Sequence, residues 1–361
     1  MLLRPAAAAS IACLLASAVE ALPQSEAGAK VKVFLMMGQS NMLGEGKIGG
    51  PDPESDHNGT LYYAVTEEGK YPYLWDSAAK NVRAFFSASA FLPTPSVCRA
   101  PPALAAVLIH LLLQWSVSKT VRNVFVMGSG GPTSPVTVQT NDFMTGGQGH
   151  RGSIGPELGI GFALEDHYSA DPVMALKSCI GNRALGWDLL PPTQKSFDWT
   201  DPKNSSEVWT YAGYHQSPNR WLKGTTPVPI TWTAGCQYDG DLKRADDVLA
   251  DLKTYYPGQT EAEVAGFFWW QGDRDSRDPA LSERYEQNLV ALIKALRLRY
   301  KVPNAPFVTA SLGQSTLPAS ACTGNCGGEI LQAMLNVADA TKYPEFKASH
   351  TSFHRFSSSL G

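Results

Sequence analysis

The chain has 361 residues, with 30 Lys and Arg against 33 Asp and Glu. That length admits one large α/β domain or two smaller ones, and an apolar share of 43% is enough for a packed core. The near-neutral charge, without a basic block or zinc-finger spacing, gives no reason to expect a nucleic-acid partner.

The first residues have the pattern of an export signal. Arg4 is followed by the apolar stretch Ala6–Ala18 and then by polar residues, with cleavage expected between Ala18 and Ala29. The stretch is too short for a membrane span, so no stable membrane insertion is expected. We assign 1–22 as a signal peptide, 30–341 as the main domain and 342–361 as an atypical, disordered tail. Export makes the secretory lumen or the outside of the cell the expected location. It would also make Asn58-Gly59-Thr60 and Asn204-Ser205-Ser206 glycosylation acceptors on a eukaryotic route. Cys322 and Cys326 are close enough for a loop disulfide, a zinc half-site being the weaker reading because no matching second pair exists. Cys179, in an apolar run, is expected to be a buried thiol.

Strand-like and helical patterns alternate along the rest of the chain. Val31–Met37 is apolar throughout, as a central parallel strand should be. Segment 82–114 does not fit. It carries only Arg83 and Arg99 as charges, four prolines and the apolar run Ala103–Leu113, and deleting it joins Lys80-Asn81 to Trp115 in a short connection. We expect either an intron translated in frame or an amphiphilic surface insertion. Further strands are expected at Asn123–Gly128, Pro172–Ile180, Val264–Trp270 and Pro306–Leu312. Helices are expected at Ile160–His167, Lys243–Tyr256, Leu281–Tyr300 and Glu329–Ala340. Leu281–Tyr300 has Leu289, Leu292, Ile293, Leu296 and Tyr300 on one face. This alternation predicts a doubly wound, mostly parallel α/β sheet with flanking helices in three layers. Gly186–Gly235 is rich in proline and tryptophan (Trp187, Trp199, Trp209, Trp221, Trp232). It is either an irregular insertion packed by its own aromatics or a wall of a sugar-binding cleft.

Three blocks lie where strands give way to loops or a helix begins. They are Gly38-Gln39-Ser40-Asn41-Met42, Gly152-Ser153-Ile154-Gly155-Pro156-Glu157 and Trp269-Trp270-Gln271-Gly272-Asp273-Arg274-Asp275. In a doubly wound sheet those ends converge on one edge, where ligands bind. Taken singly, each block has an ordinary structural reading. Ser40 is then a turn or cap residue, Gly155-Pro156-Glu157 a helix start, and Gln271 a loop brace.

The three blocks in this order resemble the sialate O-acetylesterase-like carbohydrate esterases, a branch of the SGNH/GDSL hydrolases, over most of Val31–Asp339 apart from 82–114. The resemblance implies an SGNH-type, flavodoxin-like fold and an acetylated carbohydrate as substrate. It implies Ser40 as nucleophile, with its own backbone N–H, the Gly155 N–H and the Gln271 side-chain amide as oxyanion donors. No metal or organic cofactor is implied, and Asp239, Asp241, Asp273 and Asp275 fit loop and cap roles better than a calcium site. Asp273 departs from the family, which has glutamate there. The larger departure is at the C-terminal end, where no Asp-x-x-His occurs. His350 and His354 are the late histidines, and no spacing favours His150 or His215 as the base. The function expected is a secreted serine esterase, or, if the triad is incomplete, a non-catalytic carbohydrate-binding protein on the same scaffold. Oligomeric state is not legible.

Overall fold

The structure, a computed structural model, describes residues 29–50, 59–75, 115–312, 326–349 and 352–354. The expected signal peptide, Asn58, the whole of the anomalous segment 82–114, Cys98, Cys322 and His350 therefore lie outside the described residues. So does the remainder of the tail.

Among the described residues, seven strands form the main sheet. In chain order they are β1 (Val31–Gly38), β2 (Val121–Met127), β3 (Thr137–Phe143), β4 (Val173–Ser178), β8 (Ala262–Trp270), β9 (Phe307–Ala310) and β10 (Ser352–His354). A separate three-stranded sheet, β5 (Phe197–Thr200), β6 (Val208–Tyr211) and β7 (Arg220–Leu222), lies between β4 and β8 in sequence. The order across the main sheet is β10-β9-β8-β1-β4-β2-β3. All its pairings are parallel except β2 with β3. This is the doubly wound α/β architecture expected from the alternating pattern, with β1 in the middle. Val31, Val33, Leu35 and Met37 enter one core and Phe34 and Met36 the other, as the two-residue period of a strand buried on both faces requires.

The helices are α1 (Ser40–Leu43), α2 (Leu61–Thr66), α3 (Glu157–His167), α4 (Cys236–Ala250), α5 (Leu252–Tyr255), α6 (Pro279–Arg299) and α7 (Gly327–Ala338). Residues of α4, α5, α6 and α7 join the core on one face, and those of α1, α2 and α3 the core on the other. Asp278 caps α6 by accepting the Ala280 N–H, and Pro279 opens its first turn. Leu289, Leu292, Ile293 and Leu296 on α6 are fully buried, so the apolar stripe read from the sequence is the packed face. Among the described residues no helix is long and apolar enough to cross a membrane.

Four features differ from the sequence reading. β3 is a polar edge strand whose alternation is too weak to announce it. The aromatic stretch contains a small antiparallel sheet rather than irregular loops alone. The expected helix over Lys243–Tyr256 starts earlier and is two elements, α4 and α5. The expectation of a disordered tail fails for its first part: Phe346 is buried in the main core, and the Tyr343 hydroxyl donates to Glu286 of α6 at 2.5 Å. Two aromatic side chains suffice to dock a segment that is otherwise polar. Beyond it, β10 adds a short parallel strand beside β9.

The described ends around segment 82–114 meet each other. Trp75 and Trp115 form an antiparallel bridge, their rings are 5.2 Å apart edge to face, and the Ser116 N–H donates to the Leu74 carbonyl at 3.0 Å.

Candidate active site

The first block turns sharply after β1. Gly38 has φ of +153°, and a Cβ there would come within 2.2 Å of the Trp270 carbonyl oxygen, so only glycine allows the first and third blocks this close. The Gln39 N–H donates to that same carbonyl at 3.1 Å. Ser40 then opens the one-turn helix α1 and is half-buried. Its hydroxyl and its backbone N–H make no hydrogen bond to any described residue.

The second block reaches this turn through two facing glycines. A Cβ at Gly44 would lie 2.6 Å from the Gly155 N and Cα. Gly46 and Ile154 form a two-way backbone bridge at 2.9 Å, and the Ser153 hydroxyl donates to the Gly44 carbonyl at 2.6 Å. The three blocks thus meet around Ser40, as the strand-end argument predicts. Asn41 and Gly155 also border a mostly apolar cavity of about 770 Å³, whose walls include Ile154, Phe268 and Trp270.

The two other candidate donors are engaged inside the protein. The Gly155 N–H donates to Glu157 Oε1 at 3.0 Å. Glu157 Oε2 in turn takes a hydrogen bond from Lys177 Nζ at 2.5 Å, and both side chains are almost fully buried. Lys177 also donates to the Leu43 carbonyl at the end of α1. Gln271 is fully buried, and its Nε2 donates to the Arg183 carbonyl at 2.9 Å and to Asp275 Oδ2 at 2.5 Å, leaving Oε1 without a partner. In this arrangement Gly155 and Gln271 brace the loops beside Ser40. Side-chain geometry of this kind is not visible in a sequence.

Asp275 shows why the loop after β4 stands where it does. Its carboxylate accepts the Leu185 and Gly186 N–H groups, each at 2.8 Å, besides Gln271. Burial pushes its pKa up to about 7, although these three hydrogen bonds oppose the rise. The acid at the end of the third block therefore has the loop-holding role that was its structural alternative. Asp273 pairs with Arg277 at 2.5 Å, Asp241 with Arg244 at 2.9 Å, and Asp239 with His215 and Tyr214. No group of three potential metal ligands occurs among the described residues.

The histidines are placed as follows. His215 faces Asp239 at 2.7 Å and stacks on Tyr214. Nδ1 of His150 is buried without a partner. Neither is bonded to Ser40. The backbone of His354 pairs with Ala310 at the end of β10, three strands from β1, which is about 14 Å at ordinary strand spacing.

One element at this edge was missed by sequence reasoning. The loop Gly181-Asn182-Arg183 follows β4, and a Cβ at Gly181 would lie 3.8 Å from the Ser40 Cβ. The signal was present: this loop ends an apolar strand next to β1, as the first and third blocks end theirs. Of the two other sulfur positions expected, Cys179 is a buried free thiol, whose pKa burial raises, and Cys326 is disulfide-bonded.

No curated protein sequence matches the chain. Among solved structures, the chain is similar to a protein from Arabidopsis thaliana at 15% identity and a TM-score of 0.40, covering 91% of this chain and 87% of that one. It is similar to a carbohydrate acetylesterase from Xanthomonas citri at 12% identity and a TM-score of 0.39, covering 90% of this chain and 50% of that one. It is also similar to NanS at 11% identity and a TM-score of 0.38, covering 92% of this chain and 80% of that one. A family model, described as carbohydrate esterase, sialic acid-specific acetylesterase, matches residues 219–352, a range that contains the third block and excludes Ser40. Over those residues the chain is similar to the carbohydrate esterases that this description names.

Proposed function

We propose that the protein is a serine esterase that removes O-acetyl groups from a carbohydrate, with Ser40 as nucleophile. The observation that carries this reading is the state of Ser40. It stands at the carboxyl end of the central strand, where the three blocks meet, and neither its hydroxyl nor its N–H is engaged by a described residue. A serine kept only for a turn or cap would hydrogen-bond the neighbouring backbone.

Attack of Ser40 Oγ on the ester carbonyl forms a tetrahedral intermediate, and its collapse releases the sugar hydroxyl and leaves an acyl-serine for water to hydrolyse. The Ser40 N–H is a ready oxyanion donor. Gly155 and Gln271 can add to it only by exchanging their present acceptors, Glu157 for one and Arg183 and Asp275 for the other, for the oxyanion. A base is required for both steps, and His354 is the candidate on the chain whose strand ends on the same sheet edge. The N-terminal pattern supports secretion, and the Asn204 side chain sits in an exposed turn between β5 and β6, where a glycan has room.

The rival reading is a sugar-binding protein without turnover. The observation that favours it is that neither His150 nor His215 hydrogen-bonds Ser40. Hydrolysis of p-nitrophenyl acetate by the mature chain, beside a Ser40→Ala variant, separates the two. Turnover lost in Ser40→Ala supports the esterase. Equal, background rates in two folded proteins support the binding protein.

A further inference from the structure

The cavity beside Ser40 is larger and more apolar than an acetyl group requires. Its volume of about 770 Å³ lies within the roughly 300–1,000 Å³ of small-molecule sites, whereas an acetyl group ends in a single methyl. It adjoins Ser40, because its wall includes Asn41, the next residue, and Gly155 of the second block. Phe268 and Trp270 form another part of the wall. Both stand on β8, beside the central strand, yet both are only half-buried, because this space lies next to them. Val308, the register partner of Phe268 on β9, continues that wall. α3 contributes Gly159, which is exposed, and a Cβ there would meet no atom within 4 Å. Glu45, at the surface, is the one charged residue along the cavity among the described residues.

A sugar ester has two halves of different polarity, and the surroundings of Ser40 differ in the same way. In the sheet, β8 and β9 lie on one side of β1 and β4 lies on the other. The cavity belongs to the β8 and β9 side. On the β4 side, Gly181 packs against Ser40, and the loop continues with Asn182 and Arg183, whose guanidinium donates to Ser129 Oγ at 2.8 Å and Gln237 Oε1 at 3.4 Å. The polar side suits the hydroxyls of a sugar, and the apolar side suits an acyl chain. Moving such a chain out of water into apolar surroundings favours binding by about fourfold for each methylene buried.

We propose that this cavity is an acyl-chain subsite, so that the esterase site proposed above also cleaves sugar esters of straight, uncharged acyl chains of about four to eight carbons. Ser40 Oγ bonds to the acyl carbonyl carbon, the bond from that carbon to the sugar oxygen breaks, and the serine proton passes through the base to the sugar oxygen. Water then breaks the acyl-serine bond, its hydroxyl going to the acyl carbon and its proton to Ser40 Oγ, and the carboxylic acid leaves. The inference rests on the esterase reading for turnover, but occupation of the cavity is tested without it.

The first measurement is serine-dependent hydrolysis of p-nitrophenyl acetate, butyrate, hexanoate and octanoate by the full mature chain. From acetate to hexanoate, kcat/KM should rise by about tenfold or more. Gly159→Phe, which sets a ring in the open space, should cut the hexanoate-to-acetate ratio about tenfold, and Gly159→Ala should keep it. The second measurement is ligand-observed NMR of octanamide and acetamide with the chain carrying Ser40→Ala. Octanamide should bind and acetamide should not, and adding Gly159→Phe should weaken octanamide about tenfold. No binding of octanamide, or kcat/KM that falls steadily from acetate onward, overturns the subsite without any Gly159 variant, so a misfolded Gly159→Phe cannot leave it undecided. Octanamide binding without serine-dependent hydrolysis of any ester would support the subsite and overturn the esterase reading.

Discussion

Lys177 and Glu157 form an ion pair inside the protein, 2.5 Å apart, with each side chain at most 2% exposed. The pair links the second block to the middle of the sheet. Lys177 belongs to β4, it reaches the carbonyl of Leu43 at the end of the helix that Ser40 opens, and Glu157 holds the Gly155 N–H. It also lies over the Phe125 ring, 4.9 Å from the centroid. Removing one partner leaves the other charge buried alone. Lys177→Met should therefore cost about 3–5 kcal/mol in urea unfolding. Lys177→Met with Glu157→Met should recover a large part of that loss, because an apolar pair of similar volume does not carry the desolvation penalty. A double variant no better than the single one would show that the hydrogen bonds to Leu43 and Gly155, and not the stranded charge, make the difference.

Ser40→Ala should leave stability within about 0.5 kcal/mol of the wild type, since the hydroxyl has no partner to lose. Gly38→Ala should behave in the opposite way. The new Cβ meets the Trp270 carbonyl and the residue keeps a φ that L side chains avoid, at a combined cost of about 2–4 kcal/mol. Thermal unfolding of the two variants side by side separates a residue displayed for chemistry from one needed for the turn. A Ser40→Ala protein as unstable as Gly38→Ala would remove the main support for Ser40 as nucleophile.

The contrast between these two neighbours also shows what the sequence makes legible. The apolar run Val31–Met37 announces a central strand because both faces of β1 are buried. The ends of such runs announce a shared edge because parallel strands all finish there, and the first and third blocks meet at it, joined by the second from the start of α3. Partners that depend on side-chain direction are not announced. Nothing in Gly-Pro-Glu shows that Glu157 turns inward to Lys177 and takes the Gly155 N–H, or that Gln271 points its amide at Arg183 and Asp275. Gly181-Asn182-Arg183 was legible by the same strand-end rule, but no familiar residue pattern drew attention to it. β3 and β10 were missed because an edge strand needs little apolar patterning, and 343–346 because two aromatic anchors do not change the composition of a polar segment.

Asp275 makes stability depend on pH in a specified direction. Its carboxyl titrates at about 7 in the folded protein against the ordinary 3.8, and burial is the leading cause. The folded state then holds a proton that the unfolded chain has released, so this contribution to stability is complete below about pH 4 and is lost as pH rises towards 7. Asp241, raised to about 6 by burial, acts in the same direction. Urea unfolding measured between pH 4 and pH 8 should show the decline. Asp275→Asn should be flatter over that range. It should also cost about 1–3 kcal/mol at low pH, because an amide cannot accept both loop N–H groups of Leu185 and Gly186 through its two ends. A variant with the same slope as the wild type would show that Asp275 does not titrate there.

The meeting of Trp75 and Trp115 bears on segment 82–114. Because those two residues already pair, the chain between them starts and finishes at one place, and residues 76–81 can bridge the gap once 82–114 is removed. Shortening a loop closed in the folded state reduces its closure entropy, by about 1–2 kcal/mol here if the segment contributes no contacts of its own. The deleted protein should therefore unfold at the same temperature as the parent or a higher one, and should be more soluble, since Ala103–Leu113 is an apolar run without a single charge. That result would fit a segment added to a finished fold, as an in-frame intron would be. A lower melting temperature, with Trp75 and Trp115 intact, would mean that 82–114 contributes contacts to the native state and that the insertion is a structural element.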